Sequence, residues 1–230
     1  MKKGMLIGAL LSGLLLVAAG QNTRELVIFP FGMGSNVQAP EDFNLNAELM
    51  NALYAQLKEI PGLYVMRFKE TNPAVRRALD ENRLRRDRLN PPFNVKEADG
   101  TWRSARIGQI LGVNYVLAGS IEEFRYDPTT KRATLTVSLD LVQVSDGTVV
   151  VSLAESGQGR LGESGDPNTA YVAAIADVVQ KVGTALRERL TPPPPAEPTQ
   201  TRRSPSRRQE GAAFSLFGLL ILVGIRLVGF

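Results

Sequence analysis

The sequence predicts an α/β (α+β) fold, in which helices pack on a mixed sheet of about five strands that ends in a C-terminal antiparallel meander. Two observations lead to this prediction. The apolar run Leu26–Phe31 is followed by an amphipathic helix and a second apolar strand, an order that places a helix against a sheet. Farther along the chain, three apolar segments are separated by the turn sequences DPTTK and SDG, which indicate antiparallel hairpins.

The first three elements follow from the spacing of apolar residues. Leu26–Phe31 (LVIFPF) has few polar interruptions, as expected for a strand that is covered on both faces. Asn44–Ile60 carries six apolar residues at helical spacing and is followed by a Pro-Gly stop and the strand Leu63–Phe68. Gly32 and Gly34 after the first strand form a weak GxG pattern, and a mobile loop is favoured there over a phosphate cradle.

Two further helices are predicted in the middle of the chain. Asn72 is a helix cap with Pro73 at the first helical position, and it opens a charged helix. The apolar residues of this helix are Val75, Leu79 and Leu84. After a proline-containing loop, Ser104 is predicted to cap a short helix that stops at Gly112. Trp102 is interpreted as an anchor for that helix and not as a ligand platform.

The C-terminal half is predicted to contain the strands Val113–Phe124, Arg132–Val144 and Thr148–Ser156. Asp146 and Gly147 are a hairpin signal, because both central residues of such a turn need positive φ. Apolar and polar residues alternate in the middle strand, so one face is expected to be buried and the other wet or lightly covered.

A glycine-rich segment and a long helix complete the domain. Gly157–Gly162 (GQGRLG) fits GxGxxG, but the preceding strand is antiparallel and the next helix begins several residues later. A flexible glycine-rich loop is therefore favoured over dinucleotide binding. Ala170–Leu190 is predicted to be a helix that packs on the sheet through one apolar stripe, formed by Val172, Ile175, Val179, Val182 and Leu186.

Both ends of the chain have membrane-directed features. Residues 1–20 combine two lysines, an apolar run and small residues, the layout of a secretory signal peptide, with an uncleaved signal anchor as the alternative. Residues 211–230 are long and apolar enough for a transmembrane helix, with a buried core helix as the alternative. The Pro/Arg-rich residues 191–210 have little to bury and are predicted to be a disordered linker. The folded domain is therefore expected at 21–190.

The net charge of +4 does not indicate nucleic-acid binding. Seven basic and two acidic residues belong to the two ends and the linker, and the remaining residues 21–190 carry 20 basic and 21 acidic side chains. The basic excess therefore belongs to the targeting and membrane-flanking segments, and no nucleic-acid partner is expected.

The chain contains neither cysteine nor histidine. Without cysteine it has no disulfides and no lipidation site. Without histidine it lacks the commonest general base and the usual metal ligand. The acidic pairs Asp80/Glu81 and Glu122/Glu123 are adjacent residues whose side chains point in different directions. The sequence therefore predicts no catalytic residue, no metal site and no cofactor.

Two segments carry a family resemblance. LVIFPF at Leu26–Phe31 and IGQILGVNYVLAGSI at Ile107–Ile121 are similar to motifs of the curli-assembly-component (CsgG-like) family and of related envelope domains. These relatives are the N-terminal domain of TolB and the LpoB-like lipoprotein activators of penicillin-binding proteins. The resemblance implies the fold and an envelope setting. Curli channels are lipoproteins with long hairpin insertions, whereas this chain has no cysteine and its hairpins are short.

Two groups of arginines are candidates for binding. The first is a cluster that is predicted to dock an acidic partner or anionic lipid, with a solvated helix face as the alternative; its members are Arg76, Arg77, Arg83, Arg85, Arg86 and Arg88. The second lies in the linker, on the outer side of the membrane if the domain is exported. It is available to anionic headgroups or cell-wall polymers and consists of Arg202, Arg203, Arg207 and Arg208.

Together these features predict an exported, membrane-anchored protein on the periplasmic or cell-envelope side that is not an enzyme. It is expected to act by binding other envelope proteins in curli-like secretion or envelope biogenesis, with its C-terminal helix in a membrane. Formation of a homo-oligomer is compatible with this prediction. The alternative function is that of a ring-forming secretion channel subunit. A nucleotide-binding protein or an enzyme is favoured less than either.

Overall fold

The computed structural model describes residues 23–162 and 165–191 and confirms the predicted fold class, with a mixed sheet of six strands and four α-helices. The elements are β1 Arg24–Ile28, β2 Gly32–Val37, α1 Leu45–Leu57, β3 Leu63–Arg67, α2 Pro73–Asp80, a 3₁₀ turn Arg86–Arg88, α3 Arg103–Leu111, β4 Tyr115–Asp127, β5 Arg132–Gln143, β6 Val149–Arg160 and α4 Pro167–Leu190. The predicted signal peptide, nearly all of the linker and the predicted C-terminal span lie outside the described residues.

The strands are arranged in the order β3-β1-β4-β5-β6, with β1 parallel to both β3 and β4 and with β4, β5 and β6 antiparallel. β2 is an additional strand that runs parallel to β4 beyond the end of β1, where Gly32 lies opposite Ser120 and Val37 opposite Phe124. The prediction of a mobile loop at Gly32 and Gly34 is therefore wrong. A Cβ at Gly34 would lie 2.9 Å from a carbonyl oxygen of β4, so glycine is required for this close pairing.

Helices cover both faces of the sheet at its β3-β1-β4 end. Leu26 and Ile28 of β1 pack in the core beneath α1 and α4, and Val27 and Phe29 pack in a second core with residues of α2, α3 and Phe93. β1 is therefore buried on both faces, as the sequence predicts. The six apolar residues of the first predicted helix are all buried in the first core.

The predicted N-cap is confirmed at α2 and wrong at α3. The side chain of Asn72 accepts a hydrogen bond from the Ala74 amide, with proline at the first helical position. α3 is different: its N-cap is Trp102, without a side-chain hydrogen bond, and Ser104 is buried inside the first turn. Trp102 packs on the second core, which confirms its predicted role as an anchor. Gly112 ends α3 with a φ of 75°.

The connection between β5 and β6 has a different geometry from the predicted two-residue turn. Gly147 has positive φ, but Asp146 does not. The Asp146 carboxylate instead accepts a hydrogen bond from the Thr148 amide, while the Gln143 amide donates to the Thr148 carbonyl. The side chain of Asp146 thus takes the place of a second residue with positive φ.

The glycine-rich segment is part of a strand. β6 continues to Arg160, and both Gly157 and Gly159 are buried under α4. A Cβ at Gly157 would lie 2.5 Å from the carbonyl oxygen of Ala174, and one at Gly159 would lie 2.0 Å from that of Ala170. The predicted flexible loop is therefore wrong, and the backbone of α4 fills the space that a bound phosphate would need.

This close approach also changes the buried face of α4. Val172 was expected in the apolar stripe, but it is 52% exposed. The small residues Ala170 and Ala174 face the sheet instead, since they are the ones that fit against the two glycines of β6. The other four predicted stripe residues are buried.

α4 also covers the outer edge of β6. Lys181 donates from its Nζ to the Ser156 carbonyl at 2.6 Å, and the Gln158 amide donates to the Asp177 carboxylate at 3.0 Å. Lys181 and Asp177 form an ion pair at 3.1 Å. The two side chains occupy backbone groups that an added strand would otherwise pair with, so this part of the edge is closed.

Candidate functional site: an arginine surface

The arginine cluster lies on the outer side of the second core, along α2 and the segment that follows it. α2 ends at Asp80, so the helix does not reach Leu84 as expected. Asn82 adopts a φ of 56°, and the amides of Arg83 and Leu84 both donate to the Ala78 carbonyl. The chain turns away here, and Leu84 is buried as an anchor for the turn. The alternative prediction of a solvated helix face therefore applies only to Arg76 and Arg77, which are the two arginines of the cluster that lie on α2.

Four arginines of the cluster are paired with carboxylates. Arg83 contacts Glu81 at 2.7 Å and Arg85 contacts Asp87 at 3.1 Å. The other two pairs join separate segments of the chain, Arg86 with Glu70 and Arg88 with Glu97.

Two of these paired arginines have a clear structural role. Arg83 also donates to the Ile110 carbonyl at 2.6 Å, which connects the turn to the end of α3. Arg88 shares the Glu97 carboxylate with Arg106, whose Nε lies 2.8 Å from it, and Arg106 also contacts Asp99. Glu97 is only 16% exposed, so this network holds the loop before α3 against the domain.

Arg76 and Arg77 are different. Val75 and Ala78 take the buried side of α2, and both arginines are exposed on the other side. Within the part of the chain that the structure describes, neither has a carboxylate within 4 Å. An open pocket of about 450 Å³ follows α2 and is lined by Leu79, Asp80, Asn82, Leu84, Arg85, Arg86 and Asp87. We call Arg76, Arg77 and this pocket the arginine surface.

Three carboxyl groups of the described residues have a lowered pKa with a clear structural cause. Backbone hydrogen bonds, from Thr101 to Asp99, from Thr148 to Asp146 and from Gln158 to Asp177, lower the pKa of each of these carboxyl groups. A general acid that works near neutral pH needs a raised pKa instead. Among residues 23–162 and 165–191, no group of three or more carboxylates could hold a metal ion.

The structure also reveals a surface that the sequence indicated only in part. On the face opposite α1 and α4, the polar residues of β5 are half-exposed, as predicted. They continue onto β6, where Thr136 and Ser156 share a hydrogen bond of 2.9 Å. We call this surface the open face; it contains Ser120, Thr134, Thr136, Ser138, Asp140, Ser152, Ser156 and Gln158. The predicted strand Thr148–Ser156 includes Ser152 and Ser156, and only its continuation through Gln158 was missed, because the glycines suggested a loop.

The residues predicted to contact a membrane lie outside the described part of the chain. The four linker arginines lie outside the described residues. No helix within 23–162 or 165–191 is both long and apolar enough to cross a bilayer.

No protein-family model matches the sequence, and no curated protein matches it significantly. Solved structures with a similar arrangement include a dodecameric PelC from Paraburkholderia phytofirmans, with 15% identity, 75% of this chain and 91% of that chain covered and a TM-score of 0.43. Another is a lipoprotein from Neisseria meningitidis, with 17% identity, 72% and 96% coverage and a TM-score of 0.42. The C-terminal domain of LpoB from Salmonella enterica has 12% identity, 60% and 85% coverage and a TM-score of 0.37.

Proposed function

We propose that this chain is a non-catalytic interaction domain of an exported, membrane-anchored envelope protein, and that its arginine surface binds an acidic surface of another envelope protein. One observation carries the proposal. Arg76 and Arg77 are successive exposed residues without a carboxylate partner in the described chain, whereas the other four arginines of the cluster are paired.

The chemistry of arginine suits a protein partner. A guanidinium group presents a planar set of donors that matches a carboxylate in a bidentate arrangement, and arginine is enriched in protein interfaces. The pocket beside α2 adds a concave site for a partner side chain, lined by Arg85 and Arg86 as well as by Asp80 and Asp87. Arg83 contacts the Ile110 carbonyl and Arg88 contacts Glu97, so the segment after α2 is anchored to its neighbours.

The envelope setting rests on the sequence. The layout of residues 1–20 supports export, and the resemblance of Leu26–Phe31 and Ile107–Ile121 to curli-related domains supports the same compartment. In this proposal residues 211–230 tether the protein to a membrane, and the linker arginines contact anionic headgroups near that membrane.

Site-specific photo-cross-linking in cells tests the proposal. A benzophenone amino acid replaces the exposed Asp80 in the full-length protein, and capture is compared with and without Arg76→Glu/Arg77→Glu. The matched control is Arg187→Glu/Arg189→Glu, which makes the same charge change at two exposed arginines in the last turn of α4. We expect one captured envelope protein, lost in the α2 variant and retained in the control.

A charge exchange makes the result specific. In the captured protein, acidic residues near the cross-linked position are changed to lysine. We expect this change to restore capture by the Arg76→Glu/Arg77→Glu variant. Equal capture by both arginine variants contradicts the proposal. Capture of a second copy of this chain also contradicts it and supports a homo-oligomer at this surface.

A further inference from the structure

The second inference concerns a pocket at the far end of the open face, away from the arginine surface. β4 and β5 are joined there by a turn from Asp127 to Arg132, and the end of β6 lies beside them. We call this site the tip pocket; it has a volume of about 220 Å³ and is lined by Arg125, Asp127, Thr130, Arg132, Thr134 and Gln158.

The tip pocket is lined by two arginines and one aspartate, and Arg160 lies beside it without being part of the lining. Arg132 of β5 lies directly opposite Arg160 of β6, and the side chains of such a cross-strand pair leave the same face of the sheet. Like charges in this position destabilise a sheet. Among the described residues, no carboxylate lies within 4 Å of either guanidinium group. Arg132 has only a long contact of 3.5 Å with the Gln158 side-chain oxygen.

Two acidic residues of β4 near this end of the sheet, Asp127 opposite Arg132 and Glu123, form other contacts. The Asp127 carboxylate accepts hydrogen bonds from the Thr130 hydroxyl at 2.8 Å and from the Thr129 amide at 2.8 Å. These bonds, led by the Thr130 hydroxyl, hold the pKa of Asp127 below its usual range. Glu123 pairs with Arg125 at 3.0 Å. These contacts use the hydrogen bonds of both carboxylates and leave Arg132 and Arg160 without an ion-pair partner among the described residues, although the charged Asp127 carboxylate still lines the pocket.

We propose that the tip pocket binds a phosphate-bearing group. Such an anion, placed between Arg132 and Arg160, removes their repulsion and accepts hydrogen bonds from both guanidinium groups. The hydroxyl of Thr134 and the side-chain amide of Gln158 supply further donors on the same face. The phosphate belongs either to a small soluble molecule or to an anionic lipid headgroup, because both present the same oxygens. This inference goes beyond the proposed function and does not depend on it.

Thermal unfolding of the full-length protein with inorganic phosphate tests the site. We expect phosphate to raise the midpoint of the unmodified protein, with binding weakened about tenfold or more in Arg132→Gln and in Arg160→Gln. Without phosphate, each variant is expected to unfold at a higher temperature than the parent, because the like-charge pair is gone. The matched control, Arg187→Gln/Arg189→Gln, removes two exposed arginines at the opposite end of α4.

Isothermal titration with two probes identifies the source of the phosphate. Inorganic phosphate represents a soluble ligand, and glycerophosphoglycerol represents the phosphodiester head of phosphatidylglycerol. Tighter binding of the phosphodiester indicates a lipid headgroup, and tighter binding of inorganic phosphate indicates a soluble one. The proposal is overturned if neither probe binds, or if the Arg132→Gln and Arg160→Gln variants bind both probes as tightly as the α4 control does.

Discussion

At the scale of single residues, the structure depends on side chains and glycines whose neighbours lie far away in the sequence. Gly157 and Gly159 allow the backbone of α4 to rest directly on β6. Glu97 joins two arginines from different segments and is mostly buried by them. Both features can be tested by one change with a matched control.

The first residue-scale prediction concerns Gly159. Replacement by alanine places a methyl group 2.0 Å from the Ala170 carbonyl oxygen, so α4 must move away from β6. We expect a loss of roughly 1–3 kcal/mol in the free energy of unfolding, measured by urea denaturation of the full-length protein. Gly162→Ala is the control, since its nearest contact is a Thr169 hydroxyl at 3.3 Å. Equal unfolding midpoints for the two variants would contradict the close packing.

The second residue-scale prediction concerns Glu97. Glu97→Gln removes the carboxylate that Arg88 and Arg106 share and leaves both guanidinium groups with weaker partners. We expect a loss of about 1–2 kcal/mol in the free energy of unfolding. Glu59→Gln removes an exposed pair with Lys58 and is expected to have little effect, because Glu59 is 66% exposed. A larger loss in the Glu59 variant would show that the network around Glu97 does not stabilise the loop.

At the scale of elements, the sequence predicts what local spacing determines and misses what depends on a neighbour. α1, β3 and the Asn72 cap follow from apolar period and cap chemistry within a few residues. β2 could not be recognised from GMGSNV, since this segment has no apolar alternation and becomes a strand by pairing with β4. The end of β6 was missed for the same reason, because its glycines are explained only by α4.

The candidate site shows the same difference between features that local sequence determines and features that depend on distant residues. The sequence indicated the arginine cluster as a group, since all six members lie within thirteen residues of the chain. It could not separate Arg76 and Arg77 from the others, because Arg86 and Arg88 pair with Glu70 and Glu97, which lie in other segments. The arginines in and beside the tip pocket do not form a group in the sequence. They come from three strands, and only the register places Arg132 opposite Arg160.

The element-scale prediction concerns the edge of β6 that α4 closes. Because Asp177 accepts from the Gln158 amide, Asp177→Ala is expected to remove most of the hydrogen-exchange protection at Gln158. The amide of Leu139, in the middle strand, serves as the internal control. Unchanged protection at Gln158 would show that Asp177 does not close the edge.

The same contact depends on pH with a definite sign. The Gln158 amide and then Lys181 lower the pKa of Asp177 in the folded protein. The stabilisation is therefore complete above the ordinary aspartate pKa of about 3.9 and is lost as the pH falls through the lower folded value. We expect the protection of Gln158, relative to Leu139, to decline only below about pH 4 and to be independent of pH in the Asp177→Ala variant.

At the scale of the whole molecule, the sheet separates three surfaces with different properties. α1 and α4 cover one face, and α2 and α3 cover part of the other and present the arginine surface. The open face extends from there to the tip pocket at the end of β4, β5 and β6. Under the two proposals, this separation leaves room for an acidic protein and a phosphate-bearing group to bind at the same time.

The proposed function requires that the domain is exported and that a partner covers α2. Because the chain has no cysteine, single cysteines introduced by Asp80→Cys or Gln180→Cys provide unique labels on α2 and α4. The measurement is the rate of labelling of full-length protein by a membrane-impermeant maleimide in cells whose envelope has been opened without lysis. We predict that both variants are labelled and that Asp80→Cys reacts more slowly than Gln180→Cys until Arg76→Glu/Arg77→Glu is added. Labelling of both variants only after lysis would contradict export, and equal rates before the arginine change would contradict the partner at α2.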